Sequence, residues 1–180
     1  MLLLATLAHA APLTQPAADD EPHWTVTVDP LTEALGFVHV QVERSLGQRF
    51  SLYAGPSLKL FNSPLGIGVG EFKGYGVEAG LRVFAWGRAP RGAWIMARGV
   101  LADVVYEHSF ATSDYEDVTQ HLSMLGGYAS ALVGYTGIIP VGHGGLTLSG
   151  GLGISYFDYG PADGIHGFLP AAHTTIGWAF

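Results

Sequence analysis

From Trp24 onward, apolar and polar residues alternate along most of the chain. In residues 36–45, Val38, Val40 and Val42 share one side and His39, Gln41 and Glu43 the other. In the next stretch Leu52, Ala54, Leu58 and Leu60 oppose Ser51, Tyr53, Ser57 and Lys59. Val77, Ala79, Leu81 and Val83 oppose Glu78 and Arg82, and Leu146, Leu148, Leu152 and Ile154 oppose Thr147, Ser149 and Ser155. A period of two belongs to a β-strand with two unlike faces. The pattern predicts eight strands, over 23–29, 36–45, 49–61, 74–86, 92–107, 119–136, 145–157 and 168–180. No helical period runs for a similar length. The first strand is the shortest and stops at Asp29-Pro30, where proline removes a ladder donor. Glycines inside strands, such as Gly80, Gly99, Gly126 and Gly151, fit a sheet that bends tightly.

The connections alternate in length. LGQR (46–49), GRAPRG (87–92) and IPVGHGG (139–145) carry tight-turn chemistry. The segments 30–35, 62–73, 108–118 and 158–167 are longer or more irregular. Short turns at one end and long loops at the other describe an up-and-down barrel of antiparallel strands.

Composition narrows the surroundings of that barrel. Charged residues are 13% of the chain, about half the roughly 25% of ordinary globular proteins. Hydrophobic residues are 48%, yet no uncharged apolar run reaches the roughly 18 residues of a membrane helix. A chain that is apolar overall but never continuously so meets the requirement of a transmembrane barrel, whose lipid-facing and inward residues alternate. A soluble antiparallel sheet with its apolar face inward shows the same alternation, so a lipocalin-like periplasmic barrel is the competing expectation. The net charge of −7 argues against nucleic-acid binding. The absence of cysteine removes disulfide and thiolate-metal frameworks from consideration. Residues 1–10 (MLLLATLAHA) read as the remains of a signal peptide and 11–22 as a flexible lead-in, leaving 23–180 for the barrel.

The aromatic residues support the membrane reading. Trp24, Trp86, Trp94 and Trp178, with Phe180, are expected at the rim that holds the short turns and both termini. Phe61, Tyr75, Tyr106, Tyr156 and Phe157 gather at the other rim. Two aromatic bands separated by aliphatic stretches form the girdles of a membrane barrel. The opposite face places Glu43, Lys59, Glu78, Arg82 and Arg98 in the interior. Eight strands leave an interior barely wide enough for side chains, so these charges are expected to pair into a plug. A narrow conducting pore is the sharper alternative. Asp103 has the opposite parity to Arg98, which implies a bulge between them or a rim position.

On these residues the chain resembles small bacterial outer-membrane β-barrels of the eight-stranded OmpA/OmpX type, over roughly residues 23–180. The final HTTIGWAF, with Ile176, Trp178 and Phe180 on one side, carries much of the likeness. The stretch VDPLTEALGFVHVQVERSL is also similar to the start of an uncharacterised bacterial family of this kind. The resemblance implies an outer-membrane location among lipid and lipopolysaccharide, with both termini in the periplasm. It also implies that the C-terminal strand is read by the outer-membrane assembly machinery. The expected role is that of a monomeric structural or adhesive anchor with exposed loops, without cofactor, metal or catalytic site.

Four other features bear on function. His121 and Ser123 share a strand face, and outer-membrane lipid A deacylases use a His-x-Ser pair with a carboxylate. Glu107, Glu116 and Asp117 are the candidate carboxylates, but Met124-Leu125-Gly126 departs from the deacylase continuation. A lipid A-modifying hydrolase is therefore the enzymatic alternative. The glycine runs GIGVGEFKG and GYGVEAG lack the helix that phosphate binding requires. His39 and His173 face the interior, where satisfied histidines are commoner than metal ligands. Acidic loop residues Asp114, Glu116, Asp117, Asp158 and Asp163 are solvated tips or weak divalent-cation contacts.

Overall fold

The computed structural model describes residues 22–34, 36–59, 72–111, 117–159 and 165–180. Eight antiparallel strands follow one another round a closed barrel: β1 (Trp24–Val28), β2 (Phe37–Ser45), β3 (Phe50–Lys59), β4 (Phe72–Arg88), β5 (Arg91–Ala111), β6 (Asp117–Val141), β7 (Gly144–Tyr159) and β8 (Ile165–Ala179). β8 closes on β1 through Thr25 opposite Ala179 and Val28 opposite Ile176. Closure removes both sheet edges and satisfies the ladder donors and acceptors within the wall. Trp24 and Phe180 bond to each other through their backbones, so the start of β1 and the chain's last residue share a rim. The three short turns lie at that same rim, called the turn end below.

The two faces divide as alternation requires. Leu52, Val77, Leu101, Leu125, Leu152 and Ile154 point outward and are 50–75% exposed. Glu78 and Arg82 point inward and are 1% and 2% exposed.

Four local features depart from the sequence expectation. First, the connection after β1 holds a single helical turn, α1 (Pro30–Ala34). Asp29 caps it, accepting from Leu31 N at 3.1 Å and Thr32 N at 3.3 Å, and Pro30 stands where a helix needs no amide hydrogen. Second, the wall runs on through most of the expected loop 108–118: Phe110 pairs with Val118 and Ala111 with Asp117. Polar strands satisfy backbone groups as well as apolar ones do, so polarity did not mark the end of this hairpin. Third, the register shifts between Phe84 and Trp86. The extra residue, Ala85, lets Phe84 face inward while Trp86 turns outward at 77% exposure. Fourth, no shift separates Arg98 from Asp103, so Asp103 simply faces outward.

Interior glycines make room for rings. A Cβ on Gly80 would lie 2.3 Å from the Tyr53 ring, and one on Gly151 would lie 2.4 Å from the Trp94 ring. Tyr53, Phe84, Trp94, Met96 and Leu132 form an apolar layer, joined by Ala89 from the β4–β5 turn. That turn is tied down by a hydrogen bond from Ala89 N to Gln48 O at 3.0 Å. The layer fills the interior toward the turn end.

Candidate functional site in the barrel interior

The five charges expected inside, Glu43, Lys59, Glu78, Arg82 and Arg98, are all buried, between 1% and 7% exposed. Asp29, His39, Gln41 and His173 join them. They form two clusters.

The first centres on Arg82. Its guanidinium lies 2.6 Å from Glu43 Oε2 and packs between the Tyr53 and Trp94 rings, at 5.3 and 5.0 Å. Glu43 also accepts from Ser51 and Thr25. Arg82 reaches His173 Nε2 at 2.9 Å, and the other ring nitrogen lies 3.1 Å from Arg98 and 3.3 Å from Asp29 Oδ2. Asp29 is held in turn by Thr174 at 2.8 Å and by the start of α1. Desolvation of buried ions is large, and pairing of this kind offsets it.

The second cluster lies farther from the turn end. His39 on β2 and Ser57 on β3 are direct cross-strand partners, and Ser57 Oγ sits 3.0 Å from His39 Nε2. On the other side of the ring, His39 Nδ1 lies 2.5 Å from Glu78 Oε2, with the oxygen off the line of the ring N–H. The second carboxylate oxygen accepts from Gln41 Nε2 at 3.0 Å and Tyr53 Oη at 2.8 Å, with Arg98 at 3.7 Å. Arg98 therefore stands between the two clusters. Lys59 shares the inward face of β3 with Ser57, its ammonium 4.8 Å from the Phe37 ring centroid.

Four of the five expected girdle residues are exposed: Trp24 (40%), Trp86 (77%), Trp178 (41%) and Phe180 (55%). Trp94 is not among them. It points inward, is 2% exposed and donates from Nε1 to Thr136 at 2.9 Å. Its parity with Arg98, four residues on, already placed it inside; its position next to a turn suggested otherwise. His39 and His173 do face the interior, but each partners a different cluster. Asp29 was missed because Pro30 marked a break, and a break conceals a cap. The side chains of His121, Ser123, Glu107 and Asp117, and the whole of Glu116, lie outside the described residues, as do Asp114, Asp163 and residues 1–21. Among the described residues no three metal-binding side chains are gathered.

Comparison with protein-family models, curated proteins and solved structures yields no match. What this barrel does must therefore be argued from its own geometry.

Proposed function

We propose that the chain is a bacterial outer-membrane barrel, monomeric, with both termini on the periplasmic side, that serves as a structural or adhesive anchor. The observation that carries this reading is the reversal of the usual soluble pattern. Large aliphatic side chains cover the outside while six fully charged residues, Asp29, Glu43, Lys59, Glu78, Arg82 and Arg98, are buried within. A soluble protein rarely exposes a continuous apolar patch beyond a few hundred Å². A lipocalin-like barrel would need the opposite arrangement. No helix among the described residues is long and apolar enough to cross a membrane, so any crossing falls to the strands. About 9–11 tilted residues span the hydrocarbon, and β4 to β8, at 15 to 25 residues, exceed that length. The filled layer around Trp94 and the paired charges support a closed interior rather than a conducting one.

The test is membrane fractionation of the expressed protein, followed by gel mobility of boiled and unboiled samples. Resistance to carbonate extraction and a heat-dependent shift are expected. Release by carbonate as a folded, detergent-free monomer would sink the proposal.

A further inference from the structure

We propose that Ser57, His39 and Glu78 form a nucleophile, base and orienting carboxylate. On this reading the barrel interior hydrolyses a carboxylic ester whose acyl chain lies over the small residues beside Ser57. The inference stands on the interior alone and holds wherever the barrel resides.

Two observations carry it. The first is the relay itself. A hydroxyl 3.0 Å from one imidazole nitrogen, and a carboxylate 2.5 Å from the other, is the arrangement by which a base activates a serine. Gln41 and Tyr53 occupy the second oxygen of Glu78, which leaves the first for the ring. The second is the small wall beside the hydroxyl. Ser57 is paired with Gly76, Gly76 with Ala102 and Ala102 with Gly126, so this row carries nothing larger than a methyl group. At Gly80 and Gly151 the nearest atoms belong to the Tyr53 and Trp94 rings, whereas at Gly76 they belong to Leu101 and Ala102 of the neighbouring strand. Val100, one inward position nearer the turn end, adds an apolar floor. His39 and Ser57 lie one inward layer from Phe37 and Lys59, and the Phe37 ring stands edge-on to His39 at 6.2 Å.

The chemistry is acyl transfer to water. Ser57 Oγ bonds to the ester carbonyl carbon as its proton passes to His39 Nε2, giving the tetrahedral oxyanion. The carbon–oxygen bond to the alcohol breaks, and His39 returns the proton to the departing oxygen. Water then attacks the acyl-serine through the same base, releasing the carboxylic acid and restoring the Ser57 hydroxyl. Ser57 and His39 are the catalytic residues; Glu78 positions the ring.

The test is labelling of the folded protein with an alkyl fluorophosphonate, with peptide mapping of the adduct, and hydrolysis of p-nitrophenyl butyrate and octanoate. Retention of the heat-dependent gel shift, or of the strand circular-dichroism spectrum, certifies folding in each variant. The adduct is expected on Ser57, absent in Ser57→Ala and unaffected in Ser130→Ala. His39→Gln is expected to slow labelling and hydrolysis at least about 100-fold. Glu78→Gln should lower kcat while KM stays unchanged, which loss of packing alone would not produce. Phe37→Ala removes the ring that stands against His39 and should label at least as fast as the wild type. Absence of an adduct on Ser57 in both folded wild type and folded Phe37→Ala overturns the proposal, as does an adduct on Ser123 instead.

Discussion

Two polar clusters share one barrel interior, and they differ in what surrounds them. Around Arg82 the Tyr53 and Trp94 rings pack on the guanidinium, and Gly80 and Gly151 admit those rings. Around His39 one ring nitrogen meets Ser57 and the other Glu78, and the wall beside Ser57 is a row of glycine and alanine. A buried charge in a filled layer holds the wall together. A buried hydroxyl with a base beside it and only small wall residues next to it has chemistry open to it. The size of the neighbours, more than pairing, separates a plug from a site.

Substitutions break this contrast in order of size. Arg82→Met leaves Glu43 buried without its cation and should cost about 3–5 kcal/mol, read as a lower denaturation midpoint in urea with the barrel held in lipid vesicles. Leu101→Arg places a charge on the outer wall, where Leu101 is 61% exposed. In a membrane it should cost about 2–4 kcal/mol by the same measurement. An unchanged midpoint would place that face in water. Gly80→Ala drives a methyl group into the Tyr53 ring and should cost about 1–3 kcal/mol. In a double-mutant cycle with Tyr53→Leu most of that cost should vanish, since the obstructing ring is gone. Ser57→Ala should cost least, about 1 kcal/mol for one neutral hydrogen bond, while removing fluorophosphonate labelling altogether. The two clusters are thus expected to answer in opposite currencies, one in stability and the other in reactivity.

Much of the interior was legible in the chain. Alternation assigned Glu43, Lys59, Glu78, Arg82 and Arg98 to one face, and burial of all five follows from the pleat. It assigned His39 and Ser57 to that face too. At Trp94 two signals conflict: parity with Arg98 points inward and a place near a turn points outward, and parity decides. Trp86 faces outward as its girdle place required, but the bulge at Ala85 that turns it was not legible, because a single extra residue reverses parity without leaving a periodic trace. Nor was the length of the β5–β6 hairpin, whose far end is too polar to resemble a strand yet continues the backbone ladder. The glycines inside the strands were noticed for bending; their work beneath Tyr53 and Trp94 depends on which ring lies across from them.

Which face each residue takes was settled along the chain itself, because side chains of a strand alternate whatever the strand pairs with. Which residues meet was settled only by closure. The turn at 46–49 sets the offset that brings His39 opposite Ser57, and the turn at 87–92 sets the one that brings Gly76 opposite Ala102. A slip of one residue would reverse the faces and a slip of two would part the imidazole from the hydroxyl, because partners across a ladder are chosen by backbone hydrogen bonds that carry no mark in the sequence.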